Sequence, residues 1–301
     1  TVRRELDAAG RIVREHQDEH SLTLEYDLND RLLRLSSSLG ADLRFRHDDR
    51  GLAHLELPRH DLRAEPDQDH DPATREPWAI AFERDRDGRE QARHLPGELL
   101  AWWHRDEHGR PLEHGLVASR PPQIYRHRRY HWNGPHLHID EAARRRSPVA
   151  LPALPVPITR SDPASRRISA HLSNETGDTI WRYTWSGPGE LHTATATPGP
   201  AISYRHDALG RRIARVRDGH ETRWLWHGDV LLHQWTHPRD VITWACEPDR
   251  GAPLARLTAT TRHAVVTDHL GSPLALVDAH GQLAWSAELD ERGLPRPVRG
   301  D

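Results

Sequence analysis

The sequence predicts an all-β fold with little helix, in which repeated antiparallel hairpins form part of a curved sheet or shell. Three observations support this fold class. The motif Asp-x-x-Gly occurs eight times in 301 residues, it recurs at intervals close to twenty residues, and apolar and polar residues alternate around it. Asp favours the first position of a type I turn and Gly the fourth, while alternation is typical of half-buried strands. A regular period of this length indicates a repeat architecture.

The stretch YRHDALGRRIARV, residues 204–216, shows the repeating unit most clearly. Tyr204 leads into a turn formed by Asp207 and Gly210, and Val216 lies in the returning strand. Gly210 is needed there because glycine accepts a left-handed backbone without a steric penalty. The stretch is therefore predicted to form a strand, a turn and a second strand.

The same turn is expected along most of the chain. The predicted Asp-x-x-Gly turns are Asp7–Gly10, Asp48–Gly51, Asp85–Gly88, Asp106–Gly109, Asp207–Gly210, Asp268–Gly271, Asp278–Gly281 and Asp290–Gly293. Two variants are expected to keep its shape: Asp27 leads to Asp30, and Ser186 leads to Gly189, since Asp tolerates a left-handed backbone better than most residues. The aromatic strand anchors are Tyr26, Phe45, Phe82, Trp103, Tyr183 and Tyr204. All these residues are predicted to have structural roles.

A single two-stranded hairpin is marginally stable in water, because it cannot bury its own apolar face. The repeats are therefore expected to continue one another edge to edge as a long sheet, each unit covering the unpaired backbone groups of its neighbour. The repeated residues are therefore explained by their structural roles, without any role in binding a substrate.

Two stretches interrupt the repeats. The polar, proline-punctuated residues 58–77 are expected to form a loop or insertion, and residues 147–163 carry prolines that cannot donate to a central strand ladder. The sequence IDEAARRRS, residues 139–147, is predicted as a short helix, because Asp140 and Glu141 suit a helix N-terminus. The expected divisions are degenerate repeats in 1–57, a polar insertion in 58–77, repeats in 78–146, a proline-rich linker or edge segment in 147–163, and repeats with a core region in 164–301.

The composition argues against nucleic-acid-binding, disulfide-linked and membrane-spanning proteins. All 42 basic residues are arginine, and the net charge of −3 with both signs interspersed gives no broad basic field for nucleic acid. One cysteine excludes an internal disulfide, and Cys246 is predicted to be a small buried hydrophobe. The sequence contains no apolar run long enough to span a membrane and no visible signal peptide.

Two groups of residues are candidates for binding. His131, His136 and His138 contain a His-x-His pair that could hold a metal, but 24 histidines make such pairs common by chance. Trp224 and Trp226 share one strand face, where they would form a sugar-stacking platform if exposed and part of the core if covered. With no nucleophile, base, metal or phosphate-binding motif, the chain is predicted to be no enzyme and to need no cofactor.

The C-terminal third resembles a known family. YRHDALGRRIARV, ETRWLWHGDVLLHQW, ITWACEPDRGAPLARL and TDHLGSPLALVDAHGQLAWSAELDERG follow one another across residues 204–293. Their order is similar to the core region of RHS (rearrangement hotspot) proteins, and the Tyr-x-x-Asp-x-x-Gly-Arg unit resembles the YD repeat of that family. Relatives with such repeats include insecticidal Tc toxins and animal teneurins.

The resemblance implies a non-catalytic shell that encloses a C-terminal toxin and is exported by a secretion system. The implied partners are a toxin domain of the same polypeptide beyond residue 301 and a secretion-system component, and the implied location is secreted or cell-surface. The Asp-Pro pairs at Asp71 and Asp162 lack the Gly-Leu of the family's cleavage motif, so the chain is expected to be a shell segment of a longer protein. The alternatives are a carbohydrate-binding surface adhesin and, third, a metal-dependent hydrolase.

Overall fold

The structure is a computed structural model that describes residues 1–57, 78–119, 122–134, 136–143, 158–161, 167–174, 177–289 and 295–299. These residues contain strands and turns and no α-helix, so the predicted all-β fold with little helix is confirmed. In the same residues, no helix is long and apolar enough to cross a membrane.

The described strands form two antiparallel sheets in which each strand pairs with the next strand in the sequence. The first sheet contains Val2–Leu6 (β1), Ile12–Gln17 (β2), His20–Tyr26 (β3), Leu32–Ser37 (β4), Asp42–Asp48 (β5), Gly51–Leu57 (β6), Trp78–Arg84 (β7), Glu90–Leu95 (β8), Leu99–Arg105 (β9), Pro111–Ala118 (β10), Gln123–Asn133 (β11) and His136–Ala143 (β12). The second contains Ile158–Ser161 (β13), Arg167–Asn174 (β14), Gly177–Trp185 (β15), Leu191–Thr197 (β16), Ala201–His206 (β17), Arg212–Arg217 (β18), His220–His227 (β19), Val230–Trp235 (β20), Ile242–Cys246 (β21), Pro253–Leu257 (β22), Arg262–Thr267 (β23), Pro273–Val277 (β24), Leu283–Leu289 (β25) and Pro295–Arg299 (β26).

A β-bulge follows the turn in hairpin after hairpin, and the sequence analysis did not predict it. Between β17 and β18 the register passes from Arg205 opposite Ala214 to His206 opposite Arg212, which leaves Ile213 without a partner. Leu33 and Leu274 are left out of the register in the same way. A bulge bends the strand and increases its twist, so its repetition curves the sheet.

Backbone contacts divide the chain into two compact units. The smaller comprises Thr1–Arg3, His16–Asp18 and Ser147–Val241, and the larger comprises Arg4–Glu15, Glu19–Arg146 and Ile242–Asp301. In the smaller unit, the Gln17 side chain forms two hydrogen bonds with the backbone of Trp226, donating to its carbonyl and accepting from its N–H. The Gln17 amide thus forms the two hydrogen bonds that a neighbouring strand would form. The register between β18 and β19 includes Arg223 but does not extend to Trp226.

In the larger unit, one face of the first sheet carries the apolar core. Leu35 lies opposite Leu43, and Leu55 lies between Phe45 and Ile80, so these five residues share that face. All are at most 3% exposed. Burial of such side chains is worth about 1.5–3 kcal/mol each, which makes this face a main source of stability.

The short helix predicted for residues 139–147 is wrong where the structure describes it. Residues 139–143 belong to β12, in which Ile139 lies opposite Tyr130 and Ala143 opposite Arg126. The long strand β11 offers these residues a ladder of backbone hydrogen bonds, and this tertiary pairing overrides the helical propensity of Glu141, Ala142 and Ala143. Residues 58–77 and most of 147–163 lie outside the described residues, although 158–161 form β13.

Candidate functional site

The first candidate site is the row of repeat turns, and its geometry explains the Asp and the Gly. The Asp207 carboxylate accepts hydrogen bonds from the N–H groups of Leu209 and Arg211, at 2.9 and 3.0 Å, and from Nε of Arg211 at 2.7 Å. Gly210 closes the turn by donating to the Asp207 carbonyl, with a φ of 78°. The Asp carboxylate therefore serves its own backbone, as the sequence predicts.

The same backbone bonds recur at most of the predicted positions. The first turn residue bonds to the fifth, and the fourth bonds back to the first, in the turns that begin at Asp7, Asp27, Asp85, Asp106, Ser186, Asp207, Asp268 and Asp278. Asp30 stands in the glycine position with a φ of 63°. Ser37–Gly40 forms the same turn, although it was not among the turns predicted from the sequence.

One turn differs, and another lies outside the described residues. Asp48 and Gly51 pair directly in the strand ladder, so the hairpin between β5 and β6 has a two-residue loop. Gly51 has a φ of 128°, which still favours glycine. The turn predicted at Asp290 lies in the part of the chain that the structure does not describe.

The arginine after the turn glycine joins one turn to the next. Arg11 donates through Nη1 to the Asp27 carbonyl at 2.9 Å, and Arg31 donates in the same way to the Asp48 carbonyl at 2.7 Å. In the smaller unit Arg211 donates to the Gly228 carbonyl at 2.8 Å. These bonds account for the arginine that follows the glycine position of the repeat.

An aromatic side chain ties neighbouring repeats together a second time. Tyr26 Oη donates to the Ile12 carbonyl at 3.1 Å, and Trp132 Nε1 donates to the Pro111 carbonyl at 2.8 Å. Trp226 Nε1 donates likewise to the Arg212 carbonyl at 2.8 Å. Each acceptor is the second residue after the turn glycine position, so the repeat aromatic has a defined structural partner.

The second candidate site is a set of arginines that share one face of β7–β11 in the larger unit. We call it the arginine face, and it comprises Arg84, Arg93, Arg105, Arg126 and Arg128 together with Phe82, Trp103, His114 and Tyr130. Four of its arginines, all except Arg105, are at most 8% exposed. Buried charges are costly unless they are paired and hydrogen-bonded, so their partners decide whether this face is stable.

Arg84 and Arg93 each combine a carboxylate with backbone carbonyls. Arg84 forms a buried ion pair with Glu247 at 2.6 Å and also donates to the carbonyls of Leu52 and Gly88. Arg93 is held by both oxygens of Glu90 and donates to the Val265 carbonyl at 2.9 Å. Through these bonds the first sheet contacts the turn after β21 and strand β23 within the larger unit.

Arg126 donates hydrogen bonds to two backbone carbonyls that lie at irregularities of the strand register. Its Nη1 donates to the Leu274 carbonyl and its Nη2 to the Ala287 carbonyl, each at 2.7 Å. Leu274 is the residue that the β24 bulge leaves out of register, and Ala287 lies opposite Pro297, which has no N–H to donate. Charged hydrogen bonds of this kind are worth about 1.5–3 kcal/mol each.

The aromatic members of the face surround a buried histidine. The His114 ring stacks on Trp103 at 3.9 Å and an angle of 10°, and Tyr130 contacts the His269 ring edge to face at 5.3 Å. Burial, and after it the charges of the neighbouring arginines, lowers the pKa of His114 well below its usual range. His114 is therefore neutral at neutral pH.

None of the buried arginines belongs to a site predicted from the sequence. One signal was available: Arg126, Arg128 and Tyr130 follow one another at intervals of two, which places them on one face of a strand. Which carbonyls they meet was not readable, because those carbonyls lie about 150 residues away in the sequence.

The histidine candidates come together only in part. His131 lies opposite His138, and both rings bond to the two oxygens of Asp140, at 3.0 and 3.1 Å, on an exposed surface. His136 lies opposite Asn133 instead. Across the part of the chain that the structure describes, no group of three or more His, Cys, Asp or Glu side chains is arranged to hold a metal ion.

Trp224 and Trp226 are both half-buried. Trp224 lies beside an arginine side chain, and Trp226 bonds to a backbone carbonyl. The Arg215 guanidinium is 6.0 Å from the centre of the Trp224 ring, and Trp226 is held by the bond to Arg212 described above. The sugar-stacking role of this pair stays a prediction. Burial raises the pKa of the Cys246 thiol to about 12, which fits a packing role for this side chain.

Comparison with known proteins points to one family. A family model described as RHS protein matches residues 265–293, which include the turns at Asp268 and Asp278. Toxin protein Tse5 of Pseudomonas aeruginosa is 36% identical over an alignment that covers 32% of this chain and 10% of that protein. The predicted resemblance to RHS-repeat proteins is confirmed by these matches.

Solved structures share the fold at low sequence identity. The crystal structure of TcdB2-TccC3-Cdc42 superposes with a TM-score of 0.65 and 11% identity, covering 96% of this chain and 20% of that chain. The crystal structure of TcdB2-TccC3 without hypervariable C-terminal region gives a TM-score of 0.64 and 10% identity, covering 98% and 20%. The chain thus spans about a fifth of the solved chains and a tenth of the curated relative that it matches.

Proposed function

We propose that this RHS-repeat chain is a structural segment of a toxin-associated shell, and that the shell helps to enclose and deliver a C-terminal toxin. The resemblance to Tse5, a toxin protein, supports the toxin association, and the likeness to the TccC3-containing structures supports the shell-like fold. Export of the complete protein and a toxin domain of the same polypeptide as its cargo are parts of this proposal.

The main support for the proposal is that the aspartates and arginines of both candidate sites form hydrogen bonds within the protein itself. In the turn row, the carboxylates of Asp7 and Asp207 accept from their own backbone N–H groups and from the arginine that follows. On the arginine face, Arg93 and Arg126 donate to carbonyls of β23, β24 and β25. Groups that would serve catalysis elsewhere hold strands together here, which supports a structural role without catalysis.

Protease protection tests the proposal. The full-length protein that contains this chain, with everything encoded after residue 301, is digested with a protease of broad specificity under native conditions. We expect the downstream region to survive as a protected fragment and to be digested after partial unfolding in urea, because a wall excludes the protease until it opens. Digestion of the downstream region at equal rates with and without urea would overturn the shell assignment.

Carbohydrate binding is the second candidate function, favoured by the position of Trp224 and Trp226 on one face of β19. A glycan array with the complete chain tests it. If the pair forms a sugar platform, saturable binding is expected, and it is lost in the double variant Trp224→Ala/Trp226→Ala but kept in Trp185→Ala. Absence of binding, or binding that survives the double variant, would exclude this platform.

A further inference from the structure

His114 occupies a central position on the arginine face. In the strand register it lies between Trp103 of β9 and Arg128 of β11, and it is 3% exposed. Its ring packs flat on Trp103, which suits a neutral aromatic side chain. A charged imidazole at the same place would lose its water shell, which is costly for a buried group.

The groups around His114 are predominantly positive. The arginines that act on it are Arg93 from β8, Arg105 from β9, and Arg126 and Arg128 from β11. The carboxylate of Glu90 is already bonded through both oxygens to Arg93. From the turn after β23, His269 contacts Tyr130, and the neighbouring Asp268 accepts hydrogen bonds from backbone N–H groups of its own turn.

We propose that the arginine face is an acid-sensitive lock of the larger unit, opened when a proton enters His114. The added charge is buried and faces four arginines, so the closed packing of this face becomes less stable. Strands β8–β11 then separate more readily from β23–β25, and the bonds from Arg93 and Arg126 to the carbonyls of those strands are lost. The inference concerns this chain's own packing and holds whatever the proposed shell encloses.

The direction of the effect follows from proton linkage. Because the pKa of His114 is lower in the folded state than in the open state, its contribution to stability is fully present above the ordinary histidine value of about 6.5. That contribution is lost progressively as the pH falls below this value. Opening takes up one proton, so the equilibrium constant for opening rises by about tenfold for each pH unit in this range.

His269 has the same tendency in a weaker form. Burial lowers its pKa first of all, Asp268 acts in the opposite direction, and Arg128 and Arg105 act with burial. His104 is the matched control, since it lies on β9 next to Trp103 but is exposed. Its side chain lies on the opposite face of β9 from Trp103, because successive residues of a strand alternate between its two faces.

Hydrogen–deuterium exchange of the complete chain tests the inference. Exchange is followed between pH 7.5 and 5 and corrected for the intrinsic rates, for the parent, His114→Phe, His114→Gln and His104→Gln. We expect protection of β10, β11 and β24 to fall in the parent by about tenfold per pH unit below about 6.5, while β4 and β5 keep theirs. His114→Phe retains protection, because Phe keeps the stacking and cannot be protonated, and His104→Gln behaves like the parent.

Two results would overturn the lock. The first is constant protection of the parent down to pH 5. The second is acid-induced loss in the folded His114→Phe or His114→Gln protein equal to that of the parent. If neither variant folds at pH 7.5, the NMR titration of His114 in the parent decides: protonation that coincides with the loss of protection supports the lock, and protonation without any loss refutes it.

Discussion

The turn row and the arginine face use the same two side-chain types, aspartate or glutamate and arginine, at different distances along the chain. In the turn row, Asp207 and Arg211 are four residues apart and bond within one hairpin. On the arginine face, Arg84 and Glu247 are 163 residues apart and bond across two sheets of the larger unit. The first pattern assembles each repeat, and the second determines how distant repeats pack.

This difference also separates the two sites energetically. Most turn carboxylates lie near water, where an ion pair contributes little and the backbone bonds matter most. Arg84 and Glu247 are nearly inaccessible, at 5% and 8% exposure, so removal of one leaves the other as an unpaired buried charge. Substitutions at the exposed turns should therefore be tolerated better than those on the arginine face, whereas Asp207 and Arg211, at 3% and 6% exposure, form a buried pair within the turn row.

The largest effect is expected for Arg84→Leu. The change leaves Glu247 and the carbonyls of Leu52 and Gly88 without this donor, and we expect a loss of about 3–5 kcal/mol in the free energy of unfolding. Urea denaturation of the complete chain measures it. Arg89→Leu is the control, because Arg89 pairs with Asp87 near the surface, where the two side chains are 38% and 56% exposed. This change should lower the free energy of unfolding by less than about 1 kcal/mol. Equal losses in the two variants would contradict the distinction between the sites.

A smaller but clear effect is expected for Gly97→Ala. A Cβ at Gly97 would lie 2.0 Å from the backbone nitrogen of Gly281, because the turn after β8 packs directly on the Asp278 turn. Gly10 has a similar φ of 81° but open space around it, so Gly10→Ala should cost about 1–2 kcal/mol through backbone strain alone. Thermal melting should show a larger loss for Gly97→Ala, since two turns must also separate, and indistinguishable melting curves would argue against the contact.

Acid should act on the two sites in different pH ranges. The backbone and side-chain hydrogen bonds from Arg11 lower the pKa of Asp7, and those from Arg31 lower the pKa of Asp27. Their contribution is present above the ordinary carboxylate pKa of about 4 and is lost as the pH falls through the lower folded value. In urea titrations from pH 8 to pH 3, Asp27→Asn should reduce the decline below pH 4 and leave the decline near pH 6 unchanged. A change near pH 6 instead would show that the two ranges are not separate.

Chelation is expected to have no effect at either site. A metal that binds the folded state would raise the melting temperature, and its removal would lower it. Since the turn aspartates and the arginine face bond to protein groups, EDTA should leave the melting temperature of the complete chain unchanged. A reproducible decrease that zinc reverses would instead support metal binding at His131, His138 and Asp140.

The sequence predicted the local part of this protein well. The turns at Asp7, Asp85 and Asp207 form as expected, and Asp30 adopts the left-handed backbone that its place in the repeat requires. These features depend on contacts over four residues, and each repetition of the motif reinforces the same interpretation. The weak points were Asp48–Gly51, which forms a tighter hairpin, and residues 139–143, where strand pairing outweighs helix propensity.

By itself, the sequence determined the repeat: its turn, its strand alternation and its arginine after the glycine are all encoded within about twenty residues. The tertiary structure decided which repeats meet and which of their polar groups are buried. Arg126 meets Leu274 and Ala287, which are 148 and 161 residues away, and Arg84 meets Glu247, which is 163 residues away. Such contacts depend on how distant strands pack within the larger unit, and no single repeat contains that information.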